Sequence, residues 1–169
     1  MWTKKSEGLI RGILIDLDFA SGPEDDTTYI PDIVPFSFSI PFLALDLLEE
    51  GRRQPHMYRH DLESFLWTFL WLILGNARVE TKAFSLTWWQ VGSQNMIAEA
   101  KRRFLSAPVH NDVFRVLSQT PRHNAQLVSA LRKMTALCAA GHEALESNDI
   151  DRVTAGGHLT YENFMLALG

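Results

Sequence analysis

The 169-residue sequence predicts a mainly α-helical body preceded by a short β piece and a long loop, and three observations carry that prediction. The run Ile13-Leu14-Ile15, set after Gly12, is a β signal. From Ser21 to Pro41 the chain gathers turn formers: Gly22-Pro23, the acidic Glu24-Asp25-Asp26, and prolines at 31, 35 and 41. Beyond Phe42 apolar residues recur at helical spacing almost to the end. With 46% hydrophobic and 21% charged residues the composition is globular, not disordered. At ~150 residues per domain, the length suits one domain or a piece of a larger one.

Each element has its own justification. Gly8 to Asp18 reads as a strand, half of a hairpin, ending at Asp16-Leu17-Asp18. A structureless stretch as long as Ser21 to Pro41 is uncommon inside a domain and points to a lid, binding loop or switch. Leu43, Leu47 and Leu48 mark a short helix closed by Gly51. Asp61 opens a longer helix to Leu74, apolar on nearly every face and therefore expected to be enclosed. Its apolar stretch from Phe65 to Leu74, broken only by Thr68, is about half of the ~20 residues a membrane span needs. Further helices are expected over Ser93 to Leu105, Asp112 to Ser118 and Asn124 to Leu145. The last carries Leu127, Leu131, Met134 and Cys138 on one stripe. A final helix follows Thr160 as N-cap, with Phe164, Met165 and Leu168.

Charge and cysteine usage exclude several function classes. Lys and Arg total 16 against 20 Asp and Glu, a formal charge of −4, which argues against nucleic acid as a partner. The single cysteine, Cys138, permits no intramolecular disulfide and no multi-cysteine metal site, and fits a reducing compartment, cytoplasmic or nuclear. The stretch Met1 to Ile15 is interrupted by Glu7, Gly8, Arg11 and Gly12 and lacks a signal-peptide core, so neither secretion nor a membrane partner is expected.

Four clusters could carry chemistry. Asp16 and Asp18 alternate along an extended backbone and would share one face, where hard oxygen ligands suit Mg²⁺; the plainer reading is a solvated strand end. His56 and His60 stand four apart, but Met57 occupies the place of the metalloprotease glutamate, so structural or capping histidines are expected. Gly156 to Phe164 has the cadence of a calcium loop. With Gly157 as its glycine, Arg152, Thr154 and Asn163 fall where carboxylates belong, so a turn and a capped helix are expected instead. Lys101-Arg102-Arg103, after Trp88-Trp89, reads as a solvated helix face. The chain has no Gly-x-Ser-x-Gly, no glycine-rich phosphate loop and no Cys-x-x-Cys.

In order and spacing, Gly12-Ile-Leu-Ile-Asp16-Leu-Asp18-Phe19-Ala20, the long loop, Phe42-Leu-Ala-Leu-Asp46 and His60-Asp61-Leu-Glu-Ser-Phe65 resemble the C-terminal lobe of a fungal-type protein kinase. The resemblance implies a partial kinase domain over 1–169: a β piece at 8–20, an activation-segment-like loop at 21–46 and a helical body at 47–169. Asp18-Phe19-Ala20 is similar to the kinase Asp-Phe-Gly, which implies Asp18 as the ligand of the Mg²⁺ that bridges the ATP phosphates. Ser39 would lie by the protein substrate, although Phe38 replaces the neighbouring glycine. Asp46 stands where the family has the Glu that closes the segment, and Asp61 where an acid accepts hydrogen bonds from the catalytic loop; His60 is structural. Thr27, Thr28 and Tyr29 are hydroxyls in the switch-like loop. Trp88, Ala98, Lys101, Phe104-Leu105 and Leu159 to Phe164 also resemble the family's later helices.

What the sequence omits bears on mechanism. Upstream of Asp18 there is no glycine-rich loop, no strand lysine paired to a glutamate and no catalytic-loop Asp. Phosphoryl transfer rests on positioning and electrostatics, which one metal ligand cannot supply. Two readings follow: part of an enzyme that transfers phosphate from ATP to protein Ser or Thr, inactive as this chain, or a non-catalytic kinase-like protein-binding module. On the first, the partners are a protein substrate and a missing N-lobe or partner chain; Mg²⁺ and ATP belong to the intact enzyme and are not expected to bind this chain stably. An apolar surface near the β piece is expected on either reading.

Overall fold

The computed structural model describes residues 2–4, 10–12, 40–49, 56–77, 84–85, 87, 89, 92–120, 124–147 and 149–169. These residues are mainly helical. At the N-terminus β1 (Trp2–Lys4) pairs antiparallel with β2 (Ile10–Gly12), Trp2 opposite Gly12. The strand expected from Gly8 to Asp18 is not supported. Among the described residues Ile10–Gly12 of it is laddered; Gly8, Leu9 and Ile13 to Asp18 lie outside them, as does the loop through Ser39.

A 3-10 turn, Ile40–Phe42, leads into α1 (Leu45–Leu48). The long helix α2 runs Tyr58–Ala77 and starts three residues before Asp61. His60 rather than Asp61 closes this start: the Met57 amide donates to His60 Nδ1 at 3.0 Å, while the His60 amide donates to the Met57 carbonyl at 2.9 Å. Helix α3 (Gln94–Leu105) is capped by Ser93, whose hydroxyl accepts from the Met96 amide. After a one-residue corner at Ser106, α4 (Ala107–Gln119) begins well before Asp112, because Pro108 lies in its first turn, where its missing N–H costs nothing. Asn124 caps α5 (Ala125–Leu145) and Thr160 caps α6 (Tyr161–Leu168).

The core is an aromatic and aliphatic cluster shared by α2, α3, α4 and α5. Trp67 meets Trp89 edge-on at 5.5 Å and Phe104 at 5.9 Å, and Phe84 packs on Phe104 at 5.0 Å, geometries that suit the ring quadrupoles. Trp89 is thus core, not a base-stacking platform. On α5 the buried stripe is Val128, Leu131, Met134, Thr135 and Cys138, and Leu127 is exposed; on α6 Phe164 is buried while Met165 and Leu168 are exposed.

Two expectations about α2 and α3 are overturned. Helix α2 is not enclosed on every face: Tyr58, Asp61, Phe65, Thr68 and Leu72 lie along one exposed stripe, while Glu63, Leu66, Trp67, Leu70 and Leu74 are buried. Nor is Lys101 on a solvated face; it is fully buried, and only Arg102 and Arg103 are exposed. The side chains of the β ribbon lie outside the description, so the apolar surface expected there is not placed. Among the described residues no helix is long and apolar enough to cross a membrane.

The stretch that imitates a calcium loop is a turn held by its own side chains. The Asp151 carboxylate accepts from the Val153 amide at 2.9 Å and from the Thr154 hydroxyl. The Asn163 amide group donates to the Gly157 and His158 carbonyls at 2.9 and 3.1 Å. Ala155, Gly156 and Gly157 all take positive φ, and a Cβ on Gly156 would stand 2.7 Å from Ile150 Cδ1. Gly156→Ala is therefore expected to lower stability by ~1–2 kcal/mol, the left-handed penalty, in a urea titration. Gly157 has open space at its Cβ position, so Gly157→Ala isolates the backbone contribution from the contact with Ile150.

Candidate functional site

Five charged or titratable side chains, brought by four helices, converge beneath α1: Asp46, Arg59, Glu63, Lys101 and His142. Asp46 sits within α1. Arg59 and Glu63 are one turn apart on α2, so they share a face. Lys101 comes from α3 and His142 from the last turn of α5.

Glu63 is the hub. Its Oε1 accepts from the Leu45 amide at 2.8 Å and from Trp67 Nε1 at 3.0 Å, while Oε2 lies 3.0 Å from His142 Nε2. Burial alone would raise the Glu63 pKa, but the charge and hydrogen bond of His142, the Lys101 ammonium and the Leu45 amide outweigh it and lower it. Asp46 Oδ2 takes Arg59 Nη2 at 2.5 Å, and its Oδ1 stands 3.7 Å from His142 Nδ1. Burial opposes the ionised Asp46 as well. The His60 imidazole, the Arg59 guanidinium and the His142 charge overcome that and hold the carboxyl well below the usual range. Arg59 Nε also donates to the Arg152 carbonyl at 2.7 Å, fastening the turn before α6 to α2.

Lys101 donates to the Leu43 carbonyl, with its ammonium 4.8 Å from the Trp67 ring centroid and 5.4 Å from that of Trp89. Burial pulls its pKa down to about 7 despite the opposing pull of Glu63. Cys138 is buried, and desolvation pushes its thiol well above the ordinary range, so it is inert as a nucleophile. Next to the cluster a cavity of about 420 Å³ is bordered by Asp46, Glu49, Arg102, His142 and the exposed Glu143 and Glu146. Arg59 Nη1 and His60 Nε2 are buried with no hydrogen-bond partner among the described residues.

The structure brings some of the sequence-derived residues together and leaves others apart. Asp46 and His60 are both buried, with His60 Nε2 3.9 Å from Asp46 Oδ2. Although shorter than glutamate, Asp46 reaches a buried arginine. Asp61 is not the helix cap; it lies in the first turn of α2, its side chain 70% exposed and 3.2 Å from His56 Nε2. The His56 and His60 rings are 5.5 Å apart, but His60 Nδ1 is occupied by the Met57 amide. Asp16, Asp18, Ser39, Thr27, Thr28, Tyr29 and Trp88 lie outside the described residues. Among those described, no three His, Cys, Asp or Glu side chains could hold a metal ion.

The sequence patterns assign no site role to Arg59, Glu63 or His142, and they place Lys101 on a solvated face. A signal existed for two of them. Glu63 lies between Leu62 and Leu66, one helical turn before the core residue Trp67, and His142 continues the stripe of Leu131, Thr135 and Cys138.

Residues 1–73 match the family model of fungal protein kinases. The match spans Asp18-Phe19-Ala20, the long loop, Phe42 to Asp46 and His60 to Phe65, so the family resemblance read from those motifs is shown over that stretch. It stops within α2, before Trp88 and the later helices. No curated protein and no solved structure matches the chain.

Proposed function

We propose that the chain supplies the C-terminal-lobe portion of a fungal-type protein kinase, whose intact form transfers phosphate from ATP to a protein Ser or Thr. The observation that carries this reading is the family match over residues 1–73. In it Asp18 would hold Mg²⁺, and the bound ion would supply charge neutralisation to the ATP phosphates. Asp46, tied to Arg59, closes the loop that ends at α1, and Ser39 lies by the substrate hydroxyl. Asp61, exposed at the start of α2, offers its carboxylate to catalytic-loop amides.

The 169 residues include no glycine-rich loop, strand lysine or catalytic-loop Asp, so the chain by itself is expected to be inactive. With Mg·ATP and either a generic protein substrate or itself, the purified chain is expected to show no phosphorylation. Sustained turnover that Asp18→Ala abolishes would overturn that expectation. Joined to a segment that carries the three missing elements, the same residues are expected to transfer phosphate and to lose transfer with Asp18→Ala; a folded, joined polypeptide without turnover removes the kinase reading. The exposed Tyr58, Phe65 and Leu72, which share one face of α2 with Asp61 and Thr68, favour the second reading, a non-catalytic module whose open face binds a protein.

A further inference from the structure

We infer that His142 is a proton-operated clasp: as the imidazolium it ties α1 and the chain entering it to α2 and α5, and on losing its proton it lets that segment loosen.

The geometry is that of one ring facing two carboxylates. His142 Nε2 is 3.0 Å from Glu63 Oε2 and Nδ1 is 3.7 Å from Asp46 Oδ1, the first on α2 and the second on α1. Only the imidazolium presents N–H at both nitrogens; the neutral ring turns a lone pair toward one of the two. Both carboxylates are buried, so water screens the charge that faces that lone pair only weakly. The segment at stake hangs on these groups: the Leu45 amide is bonded to Glu63, and Asp46 is part of α1 itself. His142 is 18% exposed and borders the cavity, so its proton exchanges with bulk solvent while Glu63 stays sealed.

Glu63 and Arg59 act on the titration from α2 and Asp46 from α1. Glu49, Arg102, Glu143 and the C-cap residue Glu146 border the adjoining cavity. Lys101 acts through Glu63. Burial disfavours the imidazolium, the Glu63 and Asp46 carboxylates favour it, Arg59 opposes it, and the balance raises the His142 pKa above its ordinary value. The clasp is therefore shut below the ordinary histidine pKa of ~6.5 and opens as pH rises through the higher folded-state value. This inference is independent of the kinase reading, since it concerns only helices α1, α2 and α5.

Amide exchange at Leu45, corrected for intrinsic rate, reads the clasp directly, with Met134 in the middle of α5 as control. Between pH 5.5 and 9 the Leu45 protection is expected to fall about ten-fold or more, the loss of a charge-assisted bond, while Met134 stays level. The His142 ring, followed by NMR, is expected to titrate over the same range with a midpoint above ~6.5. Lys101 titrates in the same window, so variants separate the two: Lys101→Met keeps the fall and His142→Gln removes it. A level Leu45 profile in the unmodified chain, a His142 midpoint at or below the ordinary value, or a fall that persists in His142→Gln and vanishes in Lys101→Met each overturns the inference. If His142→Gln does not fold, the unmodified chain and Lys101→Met decide it.

Discussion

Glu63→Ala is expected to lower the unfolding free energy by ~3–5 kcal/mol in a urea titration, the cost of removing one partner from a buried charge network. The loss has three sources. The Leu45 amide and Trp67 Nε1 keep their burial and lose their acceptor, and the His142 imidazolium loses its nearest counter-charge. Glu63→Gln separates shape from charge: its carbonyl can still accept from Leu45, so a smaller but distinct loss remains. In both variants the His142 pKa is expected to fall, because its leading stabilising partner is gone. A loss below ~1 kcal/mol for Glu63→Ala would place the cluster among interactions that contribute nothing net.

The same carboxylate sets an acid limit. Its folded-state pKa lies below the ordinary 4.5, so the stability it contributes is complete above that value and is lost as pH falls through the folded value. Asp46, also lowered, acts in the same direction. Glu63→Ala is thus expected to flatten the stability profile below pH 4.5 as well as lower it.

How much of this was legible in the sequence follows from where the information lies. Caps are local, and Ser93, Asn124 and Thr160 sit where short-range chemistry predicts helix starts. Asp61 misleads as a start because the His60 imidazole closes the turn three residues earlier, a side chain folding back on its own backbone. Pro108 extends α4 backwards for a similarly local reason that the spacing of apolar residues does not register. The charged cluster is another matter. A run of Lys-Arg-Arg reads as solvated unless it is known that Trp67 and Trp89, one on α2 and one just before α3, cover the first of the three. Glu63 and His142 are 79 residues apart, and only the packing of α2 on α5 makes them partners. The family motifs, by contrast, are runs of adjacent residues, which is why the match over residues 1–73 could be anticipated from order and spacing.

Lys101→Met is expected to raise stability at pH 7 by ~1–3 kcal/mol, against the intuition that a hydrogen-bonded cation in an aromatic cage holds the fold together. Three interactions favour the ammonium: the bond to the Leu43 carbonyl, the faces of Trp67 and Trp89, and the field of Glu63. Desolvation outweighs the Glu63 field, the favourable contribution that enters the balance, since the pKa falls from 10.5 to about 7. At 1.36 kcal/mol per pH unit that fall represents about 5 kcal/mol held against the charged form. Losing the donor to Leu43 returns ~1–3 kcal/mol of cost, and methionine fills nearly the same volume beside the two indoles. The sign of the pH dependence identifies the cause. Because the folded pKa lies below the unfolded one, the unfolded chain binds more protons between pH 7 and 10.5, and the lysine's penalty fades across that window. The advantage of Lys101→Met is accordingly expected to be largest at pH 7 and below and to shrink steadily toward pH 10.5, as read from paired urea titrations. A variant less stable than the parent at pH 7, or an advantage that grows with pH, would show that the cage and the Glu63 field outweigh desolvation at this position.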